Sequence, residues 1–381
     1  MSKVNLNIND VIAEAVEKTG LDDFGVQQFR PGLEKILETY ASNNLTEAGQ
    51  QESRDRMVNL LIARLNIEAA WKRYPEILDV DIKKPMFLTG MPRTGTSALV
   101  NLLAKDSAAR PMKMWEGHNP YPLEGLPKED KDPRYLGMKA YLEERNKDPE
   151  FTKIHFSTVD GPEECIHLTN HTFTDVQYGV EGFMEPYASF FRQVDRRPIY
   201  KYHHNLLRML QWQRPGERFL LKAPYHLWSL DTLVEEYPDC SIMITHRNPL
   251  EVVGSYCSMM EAIMPEREKM DKADLGQRVF EYLADQVELS MEMRKKINPE
   301  RILDIQFSQF LSTPLVTIDK IYQHFSLILS DETKQIMSNY VDEHPAGKHG
   351  NHDYKLTDYG LKEKQVLQRF GAYIKTYDIP M

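Results

Sequence analysis

A glycine-bounded loop between residues 90 and 97 contains the residues of this chain that are best spaced for chemistry on phosphate. The sequence GMPRTGTS follows the apolar run PMFLT and precedes the helical stretch ALVNLLAKD. Its spacing, Gly90-x-x-x-x-Gly95-Thr96-Ser97, matches the nucleotide-binding pattern G-x-x-x-x-G-K-[ST] except at Thr96. Glycines let backbone N–H groups close around phosphate oxygens, and the start of a helix adds partial positive charge. An ordinary turn between a strand and a helix is the alternative, but the pattern favours a phosphate site. Its predicted contacts are Arg93, Thr94, Gly95, Thr96 and Ser97.

Thr96 occupies the position at which nucleotide triphosphatases carry a lysine. In those enzymes the lysine reaches the β- and γ-phosphates, and an aspartate helps to hold Mg²⁺. Here Arg93 supplies a positive charge from within the loop, and Asp304 in RILDIQF is the sole partial match to the aspartate. The sequence therefore weakens the interpretation as an ATP-dependent kinase, whereas phosphate binding is unaffected.

A second candidate anion site lies at the end of the apolar run SIMIT, which continues into His246-Arg247-Asn248-Pro249. Asn248 is a suitable helix cap, and proline fits the first helical position. Arg247 is thus expected beside a helix start, with Ser255 about two turns further along. An arginine and a hydroxyl in that arrangement fit a second phosphate, although a structural ion pair explains Arg247 alone equally well.

Together, GMPRTGTS and HRNPLEVVGSY resemble the paired motifs of sulfotransferases, on the bacterial-type branch of that superfamily. The resemblance extends to Trp115-Glu116, GPEEC at 161–165, LKAPYH at 221–226 and the tail KHGNHDYKLTDYGL. It implies a P-loop-like three-layer α/β fold with a central parallel β-sheet flanked by helices. It also implies 3′-phosphoadenosine 5′-phosphosulfate (PAPS) as the donor, 3′,5′-ADP (PAP) as the product, and no metal.

The resemblance assigns the two anion sites to the two ends of the donor. The first loop is expected to hold the 5′-phosphosulfate, whereas Arg247 and Ser255 are expected to hold the 3′-phosphate. Lys348, His349 and Tyr354 in the tail are expected to contact the nucleotide, although the tail departs from the R-K-G loop of the cytosolic members.

Sulfuryl transfer to a hydroxyl requires a general base, cations that stabilise the leaving phosphate, and in-line attack. Arg93 and Lys222, which ends the run RFLLK, are the expected cations. The alternative for Lys222 is a side chain that extends from a buried strand to solvent. Relatives use a glutamate or a histidine as the base. Glu116 is preferred because Trp115 is expected to raise its pKa, and His226 is second.

Two further acidic residues, Glu163 and Glu164, lie in GPEEC. They are suited either to orienting an acceptor or to opening a helix, where acidic side chains are favourable. The second interpretation is preferred.

The elements that position these residues alternate between apolar runs and helical patterns from residue 85 onward. Such alternation predicts βαβ units and a parallel sheet, with ligands at the carboxyl ends of the strands. Residues 1–80 are predicted to form a helical N-terminal extension packed on the core, including a helix with its capping box at Asn44 and Glu47. Residues 81–381 form the predicted α/β domain. A Pro-, Gly- and charge-rich insertion at about 111–160 is expected to act as a lid.

Composition restricts the classes of function. The 381 residues include 47 Lys and Arg against 57 Asp and Glu, a net charge of −10, which is unfavourable for general nucleic-acid binding. Three cysteines without C-x-x-C spacing, no apolar leader and no membrane-length apolar run predict a cytoplasmic protein. The histidines, including the pair His203-His204, form no sequence cluster that predicts a metal site.

The sequence thus predicts a sulfotransferase that uses PAPS and acts on a hydroxyl of a small molecule, lipid or sugar. A P-loop kinase and a non-catalytic nucleotide-binding protein are the alternatives. A homodimer through the helical N-terminus is left open.

Overall fold

A single parallel sheet organises the computed structural model, which describes residues 4–147, 157–174, 184–264, 266–269, 271–344 and 355–381. Its strand order is β2-β3-β1-β4-β5. The strands are β1 (Met86–Gly90), β2 (Ala109–Pro111), β3 (Arg218–Lys222), β4 (Ser241–His246) and β5 (Ile302–Gln306). The four apolar runs predicted as strands are confirmed. The short β2 carries no apolar run and escaped the sequence pattern.

The register of the sheet aligns the carboxyl ends of its central strands. Leu88 on β1 is level with Lys222 on β3, and Gly90 is level with Thr245 on β4. Since all the strands are parallel, the segments that follow β1, β3 and β4 leave the sheet at one edge. This edge is where an α/β sheet binds its ligands.

Helices cover both faces of the sheet, which confirms the predicted three-layer α/β architecture. In chain order the α-helices of the described ranges are α1 (Ile8–Thr19), α2 (Phe29–Ser42), α3 (Glu47–Arg73), α4 (Thr96–Leu103), α5 (Met114–His118), α6 (Pro133–Arg145), α7 (Ile166–Thr169), α8 (Tyr187–Gln193), α9 (Arg197–Gln213), α10 (Leu230–Glu236), α11 (Pro249–Ile263), α12 (Lys272–Arg294), α13 (Phe307–Ser312), α14 (Pro314–His324), α15 (Asp331–Glu343), α16 (Glu363–Arg369) and α17 (Gly371–Thr376). No helix in the described part of the chain combines the length and the hydropathy needed to cross a bilayer.

One hydrophobic cluster lies on each face of the sheet. The larger one joins α1, α2 and α3 to the sheet through side chains such as Leu61 and Phe87. The smaller one packs α4, α14 and α15 against the opposite face, around Leu88 and Met243. The helices of residues 1–80 and the sheet that follows them therefore share one hydrophobic core.

The N-cap of the long helix α3 lies two residues after the position at which it was predicted. Thr46 is the N-cap, and its side chain accepts a hydrogen bond from Gly49 N, whereas Asn44 adopts a left-handed conformation with φ of 51°. The capping box of Asn44 and Glu47 is therefore wrong. Gly49 is in close contact with the carbonyl of Glu266, which ties the helix start to the loop after α11.

The described part of the insertion is helical and has a small core of its own. Helices α5 and α6 pack around Met114, Trp115, Leu142 and Val159. The ion pair of Glu116 with Arg110 connects this part of the insertion to β2.

Candidate active site

The loop from Gly90 to Ser97 has the backbone conformation that its glycines predict. Gly90, Arg93 and Gly95 all have positive φ, at 147°, 66° and 85°. A Cβ at Gly90 would lie 2.3 Å from Thr245 Oγ1, and one at Gly95 would lie 2.4 Å from the ring of Phe307. Both positions therefore require glycine. The loop leads directly into α4, whose first N–H groups have no helix carbonyl to bind and suit an anion.

Thr94 braces this loop from below. Its hydroxyl donates to the carbonyl of Met91 at 2.6 Å and lies 2.6 Å from the hydroxyl of Thr245 on β4. The residue is fully buried. Its side chain thus fixes the loop to the sheet.

Lys222 lies at the end of β3 and joins the loop to an acidic residue. Its ammonium nitrogen donates to Glu164 Oε1 at 2.6 Å and to Ser97 Oγ at 3.4 Å. The lysine is 2% exposed and the Glu164 side chain 19% exposed. Burying an ammonium group is costly unless it is paired, so Glu164 stabilises a buried cation beside the phosphate loop.

Glu164 reaches this position because the chain returns to the sheet after the insertion. Its backbone forms a parallel bridge with Lys222, and Cys165 N donates to the Lys222 carbonyl at 2.9 Å. Helix α7 begins later, with Cys165 as its N-cap. Glu164 therefore pairs with a cation rather than opening a helix, and the preference for a helix-opening role was wrong for this residue.

The second motif contacts the first through two side chains. Arg247 follows β4, and its Nη1 donates to the carbonyl of Arg93 at 2.9 Å. Arg93 Nε in turn donates to Ser255 Oγ at 3.1 Å, and its Nη1 lies 3.9 Å from Met259 Sδ. Asn248 caps α11 as predicted, since its side chain accepts from Leu250 N at 2.9 Å. The structure thus brings Arg93, Arg247 and Ser255 together.

Phe307 is a site residue that the sequence analysis missed. It starts α13 directly after β5, and its ring contacts Gly95. The guanidinium of Arg247 lies over the same ring, 4.6 Å from its centroid. An apolar residue at the end of a strand gives no sequence signal for such a role.

The surroundings of Glu116 lower its pKa, whereas a raised pKa was predicted. Arg110 donates to both of its carboxylate oxygens, at 2.9 and 2.7 Å, and Lys113 N donates to Oε2 at 3.0 Å. Burial alone would raise the pKa of this carboxyl, but the Arg110 charge and these hydrogen bonds lower it below its usual value. The expectation of a raised pKa is therefore wrong. The contacts described for Glu116 hold α5 to β2.

His226 lies within the core. It is fully buried, and its Nδ1 is 2.8 Å from the Tyr200 hydroxyl. Its ring packs edge-on against Phe87 on β1, and burial lowers its pKa well below the usual value. The structure therefore places this histidine under the sheet edge rather than among the loop residues.

Asp304 on β5 forms a partly buried network with Arg294 and His246. Both of its oxygens accept from Arg294, at 2.6 and 2.5 Å, and His246 Nε2 lies 2.7 Å from Oδ1. Although burial opposes ionisation, these partners lower the pKa of Asp304 to about 2. The strands on either side of β1 end in Lys222 and His246. Neither neighbouring strand thus ends in the carboxylate that would hold Mg²⁺ beside the loop.

Lys348, His349 and Tyr354 lie outside the described residues. Their predicted contact with the nucleotide stays a prediction.

Comparisons with known proteins agree with this geometry. The chain matches the family model described as the sulfotransferase family over residues 85–331. The solved structure of sulfotransferase STF1 from Mycobacterium tuberculosis H37Rv is 31% identical, with a TM-score of 0.86, and the match covers 98% of this chain and 100% of STF1. Sulfotransferase STF9 from Mycobacterium avium is 26% identical, with a TM-score of 0.89, and the match covers 100% of this chain and 99% of STF9.

A characterised relative extends the comparison. Omega-hydroxy-beta-dihydromenaquinone-9 sulfotransferase Stf3 of Mycobacterium bovis is 21% identical over 320 residues, which are 77% of this chain and 74% of Stf3. The family model matches more than half of the chain, and STF1 is 31% identical with a match that covers 98% of this chain. These two findings lead to one assignment. The chain belongs to the sulfotransferase family and is a sulfuryl-transferring enzyme.

Proposed function

We propose that this enzyme transfers the sulfuryl group of PAPS to a hydroxyl of a lipid or apolar small molecule. The observation that carries the proposal is the contact between the phosphate loop and the Lys222–Glu164 pair, with Lys222 Nζ 3.4 Å from Ser97 Oγ. The Lys222 ammonium and the Glu164 carboxylate thus lie together beside the phosphate loop, where a cation and a base are needed.

The residues present fit the donor. Glycines at 90 and 95 let the loop pack closely against Thr245 and Phe307. Its backbone N–H groups and the start of α4 suit the 5′-phosphosulfate. Arg247 and Ser255 suit its 3′-phosphate. When bound, the donor supplies a sulfuryl group and a phosphate leaving group. A donor without a γ-phosphate also accounts for threonine at position 96.

Lys222 is proposed to stabilise the charge that develops on the leaving phosphate. It is buried at the end of β3, where an ammonium group acts with little screening by water. Arg93, whose side chain lies against Ser255, is proposed to contribute positive charge on the side of the 3′-phosphate.

Glu164 is proposed as the general base in place of Glu116 and His226. A base must come within hydrogen-bond reach of the acceptor hydroxyl, and Glu164 is the carboxylate that pairs with Lys222 beside the loop. In this role it takes the hydroxyl proton as the acceptor oxygen bonds to sulfur. Both oxygens of Glu116 are bound by Arg110, and His226 is buried in the core, so neither side chain is accessible to an acceptor hydroxyl.

An apolar acceptor is proposed on two grounds. The relative Stf3 is named for a hydroxylated menaquinone, which is a lipid-like quinone. The face of α11 that contacts Arg93 continues from Ser255 to Met259, and methionine suits an adaptable apolar wall.

A labelled-donor screen tests this function. The purified protein is incubated with sulfur-labelled PAPS and a panel of hydroxylated quinones, sterols, phenols and sugars, and products are identified by mass spectrometry. We expect label to be transferred to an apolar hydroxyl compound and PAP to be released. Transfer of phosphate from Mg-ATP, with no sulfated product from any acceptor, would refute the proposal.

A further inference from the structure

Arg247 is held on three sides in the structure. Its Nη1 donates to the carbonyl of Arg93 at 2.9 Å, and its guanidinium lies 4.6 Å from the ring centroid of Phe307. The remaining edge is taken by Glu251, whose Oε2 accepts from Nε at 2.8 Å and also from Nη2. The planar guanidinium is thus fixed in orientation, and a carboxylate occupies the pair of donors that suits an oxyanion.

Glu251 also lies on the helix face that carries Ser255. The two residues are four positions apart in α11, so their side chains are neighbours on one face. An anion bound to both Arg247 and Ser255 would therefore lie next to the Glu251 carboxylate. Arg93, which donates to Ser255, bounds the same space from the loop.

We infer that Glu251 is a displaceable counter-ion of the donor site, which weakens the hold of Arg247 on a 3′-phosphate and promotes release of PAP. This inference rests on the proposed function. The Arg247 side chain is 23% exposed and that of Glu251 is 50% exposed. An ion pair of such exposure contributes little to stability, so a phosphate can displace the carboxylate at small cost.

The displaced carboxylate still carries its charge close to the phosphate. Like charges separated by a few ångströms near a protein surface repel each other, and salt screens that repulsion. Glu251 therefore weakens the binding of PAP, and of any other ligand with a 3′-phosphate, without contacting the reacting atoms. Its effect is restricted to ligands with a 3′-phosphate, because 5′-AMP places no charge beside it.

Isothermal titration calorimetry on Glu251→Gln tests the inference. We expect the variant to bind PAP about three- to tenfold more tightly than the wild type, as removal of a nearby like charge predicts. Its affinity for 5′-AMP should stay within about twofold. The gain for PAP should shrink in high salt. Glu292→Gln is the matched control, because Glu292 forms an exposed helical ion pair with Lys295 and its loss should leave PAP affinity unchanged.

Three results would overturn the inference. Unchanged or weaker PAP binding by Glu251→Gln would show that the carboxylate only orients Arg247. Equal gains for PAP and 5′-AMP would show that the effect is general rather than specific to the 3′-phosphate. If the wild-type protein binds no PAP, the proposed function itself fails and the inference falls with it.

Discussion

Glu116 and Glu164, which lie near opposite ends of the 111–160 insertion, each form an ion pair with a cation, yet their surroundings differ. Glu116 is 3% exposed and both of its oxygens accept from Arg110. Glu164 is 19% exposed and one of its oxygens accepts from Lys222, which is itself 2% exposed. In the first pair both groups are largely enclosed, whereas in the second the cation is enclosed and the carboxylate is partly exposed.

The exposure of the carboxylate and the number of its oxygens that are bound distinguish a structural ion pair from one that we propose to be reactive. The aromatic neighbour Trp115 suggested a raised pKa for Glu116, but a guanidinium that binds both carboxylate oxygens lowers that pKa instead. Glu164 gave a weaker signal in the sequence. Its position beside the phosphate loop arises from the return of the chain to β3.

Removing the proposed base should have the largest effect on activity. Glu164→Gln keeps an oxygen that can accept from Lys222 but cannot take a proton, so we expect kcat to fall about 100- to 1000-fold. PAP affinity, measured by calorimetry, should change little. Glu116→Gln is the matched control and should retain kcat within about threefold in the folded protein. The reverse ranking of the two variants would assign the base to Glu116.

Opening the enclosed pair should instead lower stability. Glu116→Ala leaves the charge of Arg110 buried without its partner, and we expect the free energy of unfolding to fall by about 3 to 5 kcal/mol. Urea unfolding followed by circular dichroism measures this loss. Glu144→Ala, which removes an exposed pair with Lys147, should cost less than about 1 kcal/mol. Similar losses in both variants would mean that the Arg110 pair contributes no more than a surface pair.

A substitution in the phosphate loop tests donor binding independently of proton transfer. Gly95→Ala puts a Cβ 2.4 Å from the Phe307 ring at a φ of 85°, so the loop must shift. We expect PAP binding to weaken at least about tenfold, as a local backbone strain of 1 to 3 kcal/mol predicts. Gly371→Ala is the control, because nothing lies within 4 Å of its added Cβ. Unchanged PAP affinity in Gly95→Ala would argue against donor binding by this loop.

A third carboxylate, Asp304, extends the comparison to acid pH and should give the smallest effect. Its folded pKa of about 2 is below the ordinary value of 3.8, so its stabilising contribution is present above pH 4 and lost as the pH falls toward 2. After allowance for partial exposure, Asp304→Asn should cost about 1 to 2 kcal/mol at pH 7. The difference from the wild type should shrink as the pH falls from 4 toward 2 in urea unfolding. A difference that is constant with pH would contradict the ionic origin of the stabilisation.

Local patterns were sufficient for the fold and for the phosphate loop. The apolar runs that end in Gly90, Lys222 and His246 predicted three neighbouring strands, because a buried parallel strand needs an uninterrupted apolar run. The cap at Asn248 was predicted for a similar reason, since capping depends on adjacent residues.

Contacts between distant segments were beyond the sequence. The pairing of Glu164 with Lys222 joins residues 58 positions apart, and that of Arg247 with the Arg93 carbonyl joins residues 154 positions apart. Neither distance follows from periodicity. The charge of Arg110, on a strand too short to be predicted, likewise decided the ionisation of Glu116.

Equilibrium binding of nucleotides tests the central claim, that the loop and Arg247 hold a phosphosulfate donor rather than a triphosphate. Calorimetric titrations of the wild-type protein with PAP and with Mg-ATP under identical conditions make the comparison. We predict micromolar binding of PAP, much weaker binding of Mg-ATP, and a marked loss of PAP binding in Arg247→Ala. Tight binding of Mg-ATP with no heat from PAP would contradict the account.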